Sequence, residues 1–336
     1  MENHKIRVAI TQGDINGIGY ELIFKTFGEQ EMLEICTPII YGSPKVANYH
    51  SNVLQTQFQF SIIKDAKEAR EGRINFLSCI EEEVRADLGK VSEEANTASQ
   101  KALDKALTDT KEGLCDVLVC GPMNNAKQAI KDTGVKPIFI NENCRVAISK
   151  GTLTQESLIE EIKSLHQTLK RDFRLSNPRI AVFSKNNVPG TEEKDIIIPA
   201  VAELEKVSIQ AFGPYQVEKF IDERQYEAFD AILAMSNEQG KALLHKVSDA
   251  DSIISLSKSP IVCTMIDIDA RHDIAGKNIA NEASIRNAIY TAIDIARHRV
   301  EYDTPLANPL PKLYHERPDN GEKLRFSIPK KQEEGQ

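Results

Sequence analysis

An α/β fold with a largely parallel sheet is predicted by three features of this sequence. Short apolar runs alternate with amphipathic stretches through most of the chain. Its 336 residues are long for one core and comfortable for two lobes. No internal repeat is visible.

The elements follow in order. Ile6 to Thr11 reads as a first buried strand, Gly13 to Gly19 as a turn and Tyr20 to Phe27 as a helix. Ile35 to Tyr41 is a second strand. Glu93 to Lys111 is a helix, because Ala95, Ala98, Ala102, Leu103, Ala106 and Leu107 share one face. Asp116 to Cys120 is a buried strand, and Leu158, Ile162, Leu165 and Leu169 mark another helix by their spacing. Arg179 to Phe183, Asp230 to Met235 and Pro260 to Thr264 are further strands. Ser284 to Arg299 is a late helix with Ile285, Ala288, Ile289, Ala292 and Ile295 on its buried stripe. After Tyr302 five prolines interrupt a polar stretch, which predicts a tail over 304–336 that adds nothing to a core.

Composition narrows the function classes. Hydrophobic residues are 41% and charged residues 27%, close to the globular norm. Forty-two Lys and Arg against 50 Asp and Glu give a net charge of −8. An acidic chain without a basic block is a poor nucleic-acid binder, so no nucleic-acid partner is expected. No stretch approaches the ~20 apolar residues that span a bilayer, so no membrane partner is expected either. The first residues contain no signal-peptide apolar region, and the six cysteines are scattered without a Cys-x-x-Cys pair. Reduced thiols and a cytoplasmic location are the expectation.

Four loops carry candidate chemistry. Thr11-Gln12-Gly13-Asp14-Ile15-Asn16-Gly17-Ile18-Gly19 joins a strand to a helix, where glycines let a ligand approach backbone N–H groups. Its glycines do not follow the dinucleotide order G-x-G-x-x-G, and the plain alternative is a tight turn with no ligand. Gly121-Pro122 follows another strand, as does Asn237-Glu238-Gln239-Gly240, and ligands of open α/β sheets sit at such ends. The fourth loop runs from Asp267 to Gly276. Asp267, Asp269 and His272 are a weak alternative metal set, set against the plainer reading of a solvated acidic loop. Gly13, Asp14, Gly17, Gly19, Gly121, Pro122, Asn237, Gln239, Gly240, Asp273 and Gly276 are the substrate or cofactor cleft candidates. No two of the seven histidines show metal-ligand spacing, and no G-x-S-x-G nucleophile elbow occurs.

Taken together, these loops resemble the 4-hydroxythreonine-4-phosphate dehydrogenase (PdxA) family of vitamin B6 biosynthesis. The resemblance runs from about Ile6 to Pro309. It is carried by Thr-x-Gly-Asp-x-x-Gly-Ile-Gly at 11–19, Pro-Arg-Ile-Ala-Val at 178–182 and the Gly190 to Pro199 run. Phe-Gly-Pro-Tyr at 212–215, Phe-Asp-Ala-Ile-Leu-Ala-Met at 229–235, Asp-Ile-Ala-Gly at 273–276 and Arg-Asn-Ala-Ile-Tyr at 286–290 complete it. The resemblance implies a two-lobed α/β/α fold like isocitrate and isopropylmalate dehydrogenases, with lobes over 1–125 plus 258–303 and over 126–257. It also implies a homodimer, and an NAD-dependent oxidation and decarboxylation assisted by a divalent metal on three histidines.

This chain departs from that pattern where the chemistry lies. The family's Gly-His-Thr-Glu loop should follow Gly134-Val135, where Lys136-Pro137-Ile138-Phe139 stands. The three histidines should fall within Ser149 to Thr154, between Ser184 and Gly190, and at Asn237, and none is there. The family's Lys corresponds to Asn125, its Arg to Cys263, and its His-Gly pair to Ile268 and Asp269. A divalent metal is therefore not expected, no catalytic residue is assigned, and a pseudoenzyme with a binding or regulatory role is the favoured reading. It would act as a homodimer or beside an active relative, with NAD or a small phosphorylated ligand in the cleft. A further reading is an enzyme of another class in the same cleft, using the glycine loop for a phosphorylated ligand, with Lys150 and Lys185 supplying charge where the shortened loops rejoin. An active NAD-dependent dehydrogenase with a rebuilt site is the alternative.

Overall fold

The computed structural model describes residues 5–80, 84–124, 136–142, 144–186, 190–248, 251–257 and 259–307. Asn125, Gly134, Val135 and the segment 308–336, where most of the expected tail falls, lie outside the described residues.

Among the described residues twelve strands form one sheet: β1 (Arg7–Thr11), β2 (Thr37–Gly42), β3 (Ser61–Ile63), β4 (Asn75–Ser78), β5 (Val117–Cys120), β6 (Lys136–Ile140), β7 (Arg145–Ile148), β8 (Arg179–Phe183), β9 (Gln210–Tyr215), β10 (Ala231–Ala234), β11 (Ile253–Ser257) and β12 (Val262–Ile266). Their order is β3-β4-β2-β1-β5-β12-β11-β6-β7-β10-β8-β9. Pairing is parallel from β3 to β12 and again from β7 to β9. Between them β12–β11, β11–β6 and β6–β7 are antiparallel. The expected mixed α/β fold with a mostly parallel sheet is therefore present. Continuous apolar strands such as Val117–Cys120 and Ala231–Ala234 suit it, because helices cover both faces and leave no side to solvent.

The helices are α1 (Gly19–Phe27), α2 (Glu31–Ile35), α3 (Pro44–Val53), α4 (Glu93–Lys111), α5 (Gln155–Phe173), α6 (Ile198–Lys206), α7 (Val217–Asp222), α8 (Asn237–Val247) and α9 (Ala283–Ala307). The Ser92 hydroxyl starts α4 by accepting from Ala95 N at 3.1 Å, and the alanine stripe is buried as expected. Thr154 and Ser157 cap α5 reciprocally, and Arg174 ends it in the left-handed region. Apolar clusters cover both faces of the sheet beside β1 and β5, and again beside β8 and β10.

Several boundaries move by one or two residues, as where the strand expected at Pro260 to Thr264 runs from Val262 to Ile266, and two further differences have a visible cause. Residues of the expected strand at Ile35 belong instead to α2, whose last turn ends there, and β2 begins at Thr37. The late helix passes Arg299 and continues to Ala307 with Pro305 in its last turns. Contacts to α5 hold this extension: Arg171 Nε donates to Asp303 Oδ1 at 2.9 Å, Arg174 pairs with Glu301, and Gln167 Nε2 donates to the Tyr302 hydroxyl at 3.2 Å. Below them the buried Arg299 holds Asp172 through two bonds, at 2.7 and 2.9 Å, and donates to the Ser259 carbonyl at 3.0 Å.

Candidate functional site

The predicted site residues divide between opposite edges of the sheet. The antiparallel strands in the middle reverse the chain direction, so β1, β5 and β12 end at one edge while β7, β10 and β8 end at the other. Six strand spacings also separate β1 from β10, roughly 30 Å along the sheet. Gly13, Asp14, Gly17, Gly19, Gly121, Pro122, Asp273 and Gly276 lie at the first edge, and Asn237, Gln239 and Gly240 at the second.

At the first edge the glycine loop is wholly buried. A Cβ on Gly13 would stand 2.4 Å from the Pro122 carbonyl oxygen, one on Gly17 2.3 Å from that of Ala270, and one on Gly19 2.0 Å from that of Gln12. These glycines therefore let three chain segments meet. The loop's donors are engaged in the same way. Asp14 N donates to Pro122 O at 2.8 Å, Asn16 N to Asp14 Oδ1 at 2.8 Å, Gly17 N to Asp14 O at 3.1 Å and Ile18 N to Ala270 O at 3.0 Å. Such geometry matches a tight packing turn more closely than a phosphate cradle, whose N–H groups would face outward. His50 supports the loop from beneath through a 2.7 Å bond between Nε2 and the Ile15 carbonyl, and burial pushes its pKa down.

One polar cluster does assemble there. The Asp14 carboxylate, 1% exposed, receives His272 Nε2 at 3.2 Å and Asn124 Nδ2 at 3.3 Å on the same oxygen. His272 remains 17% exposed. On the sequence reading His272 is only a weak alternative metal ligand with Asp267 and Asp269. The structure turns it to Asp14 instead, and no group of three His, Cys, Asp or Glu among the described residues could hold a metal ion. Asp273 pairs with Arg271 at 3.0 Å, which lowers its pKa through the charged hydrogen bond. Gly276, with φ of +75°, packs on Leu88 and Val53.

At the second edge three neighbouring strand ends meet. Ser149 N, after β7, donates to the Ala234 carbonyl of β10 at 2.8 Å. Gln239 joins β10 to β8: its Oε1 accepts from Met235 N at 2.9 Å and its Nε2 donates to the Ser184 carbonyl at 2.8 Å. Ser236 caps α8 by accepting from Gln239 N, Asn237 is exposed in the first turn, and Gly240 allows α8 to lie on Ile148 and Val146. Beside them the buried Glu193 carboxylate accepts from Lys185 N at 3.1 Å, Asn186 N at 3.2 Å and Gly190 N at 2.6 Å. Burial pushes its pKa up, but the backbone donors outweigh it and hold the carboxyl below its usual range. Lys185 is paired with Glu192 at 3.1 Å rather than standing free.

Comparison with known proteins now decides the family. The model of the pyridoxal phosphate biosynthetic protein PdxA matches residues 34–144 and 144–292. A 4-hydroxythreonine-4-phosphate dehydrogenase of Bacteroides thetaiotaomicron is 40% identical over 360 residues, covering 97% of this chain and 98% of that protein.

The chain belongs to the PdxA family.

A second dehydrogenase of the same name, from Prosthecochloris aestuarii, is 30% identical over 87% of this chain and 98% of its own length. Among solved structures, the 4-hydroxythreonine-4-phosphate dehydrogenase of Klebsiella pneumoniae superposes with a TM-score of 0.71 at 21% identity, covering 88% of this chain and 99% of that one. The isocitrate dehydrogenase of Methylococcus capsulatus reaches 0.50 at 12% identity, covering 88% and 89%. These likenesses bear out the family and fold that the sequence motifs suggest.

The PdxA frame gives the second edge its meaning. Its three adjoining strand ends are the places where the family resemblance sets three histidines. The described side chains there include the hydroxyls of Ser149, Ser184 and Ser236, the Asn237 amide, a Gln239 amide already bonded on both sides, and the Glu193 carboxylate held by three backbone donors. Hydroxyls and amides are poorer ligands for a transition metal than imidazoles. The alignment to the Bacteroides relative spans more positions than this chain has residues, leaving at least 24 of them without a counterpart here.

Proposed function

We propose that this PdxA-family chain binds a small ligand and has lost the metal-assisted oxidation and decarboxylation of its relatives. The observation that supports this most is the second edge, where adjoining strand ends carry hydroxyls and amides in place of imidazoles. Without a Lewis acid, the developing alkoxide and enolate lose several kcal/mol of stabilisation, on the order of 10³-fold or more in rate. On this reading NAD and a phosphorylated hydroxy-amino acid are the ligand classes, and no divalent metal takes part. Residues 1–125 with 258–303 and residues 126–257 form the two lobes. The chain acts in the cytoplasm, paired with itself or with an active relative.

A second reading is an active dehydrogenase with a rebuilt site. It is favoured by 40% identity to a dehydrogenase over 97% of the chain. One assay separates the two: NAD reduction by the purified protein with 4-hydroxythreonine 4-phosphate and a panel of divalent metals, beside the Bacteroides relative. The first reading expects no turnover from a folded protein. Turnover within about a hundredfold of the relative would overturn it.

A further inference from the structure

We propose that Glu161, at the second edge, is the group that receives the hydroxyl of a bound ligand. This rests on the binding reading above and names a contact for it. A cavity of about 20 Å³ lies between α5 and the sheet, where β6 begins and where β7 and β11 end. Lys136 and Ser257 face each other there in register, beside Ile148. Glu161 and Ser164, three residues apart on α5, close it from the helix side. The rest of its described wall is apolar. Glu161 is 8% exposed, and only half of its carboxylate is used. Oε1 accepts from Lys136 Nζ at 2.7 Å and from Lys150 N at 3.2 Å, whereas Oε2 is buried with no partner among the described residues. A buried carboxylate oxygen left unbonded is costly, so the cavity calls for a donor. Three properties choose that donor. The volume takes one heavy atom, since a water needs roughly 10–15 Å³, and it excludes a phosphate or a carboxylate. The Lys136 ammonium already balances the Glu161 charge, so a second cation would be buried without a counter-ion. A hydroxyl both gives and takes: it donates to Oε2 and accepts from Lys136 Nζ or the Ser164 hydroxyl. Of the described residues lining the cavity only Lys136 is not buried, so the hydroxyl enters past that side chain and the body of the ligand stays on the edge.

Two probes that differ by one oxygen test this: 4-hydroxythreonine 4-phosphate, and O-phosphohomoserine, which lacks the 3-hydroxyl. By calorimetry the wild-type protein should bind the first roughly tenfold more tightly, a water filling the cavity beside the second. Glu161→Leu should abolish that preference, and thermal unfolding checks that the variant folds. A crystal structure of the wild-type protein with the hydroxylated probe should place the 3-hydroxyl oxygen within hydrogen-bond reach of Glu161 Oε2. That measurement needs no variant, so it decides the matter even where Glu161→Leu fails to fold. Equal affinity for both probes, a preference that survives in folded Glu161→Leu, or a water in the cavity with the 3-hydroxyl elsewhere would each overturn the proposal while leaving the binding reading intact. Binding of neither probe would remove both.

Discussion

At the residue scale, buried polar groups carry the sharpest consequences. Arg299 and Asp172 are 6% and 2% exposed and bonded in parallel. Arg299→Met leaves a buried carboxylate unpaired and should cost about 3–5 kcal/mol in urea unfolding. Arg299→Met with Asp172→Leu should recover most of that loss, since the stranded charge is gone. Glu193 gives a pH signature. Its folded pKa lies below the unfolded value of about 4.3. Its contribution is therefore complete above that value and is lost as pH falls through the folded pKa. Glu193→Gln should lower stability at pH 7 and flatten the acid side of the stability curve, as read by thermal unfolding from pH 7 to pH 3. The Asp14–His272 contact was not legible in the sequence. The partners are 258 residues apart, and no local pattern joins them. His272 was visible only as a histidine beside Asp-Ile-Ala-Gly in a strand-end loop.

At the element scale, the legible pieces were those whose pattern and burial agree. Arg179–Phe183 and Glu93–Lys111 fall on their expected bounds, because an apolar run and a capped alanine stripe each allow one answer. Ser61–Ile63 has three residues and Lys136–Ile140 opens with a Lys-Pro pair, so neither rises above its surroundings in sequence. Pro137 is tolerated because β6 pairs with β7 only from Ile138 onward, leaving the proline at the strand's start. The end of α9 depends on ion pairs with α5, which no reading of 300–307 alone reveals. At the start of α1, Gly19→Ala would drive a methyl group into the Gln12 carbonyl and should cost about 3 kcal/mol. Gly28→Ala, where a Cβ would stand 3.1 Å from the nearest atom, should cost clearly less. Circular dichroism melts of the two variants compare them directly.

At the scale of the whole molecule, alternating strands and helices were enough for the α/β class, but not for the path of the sheet. Three antiparallel pairings in its middle decide which loops share an edge, and the central one, β11 with β6, joins residues over a hundred positions apart that no local pattern connects. For that reason the cleft candidates, read as one set, fall into two. The metal question follows the same division, because it concerns only the edge that β7, β10 and β8 share. Equilibrium dialysis against zinc, manganese and magnesium should find no stoichiometric site, and a single tightly held ion would overturn the proposed loss. The turn at 11–19 bears on how such families are recognised. Selection for a folded chain alone would preserve Gly13, Gly17 and Gly19, since neighbouring backbone fills the space a side chain would take. A retired enzyme and a working one would then carry the same nine-residue hallmark. Inventories of active relatives drawn from that hallmark would count both, and histidines after the strands on the far edge would be the better census mark.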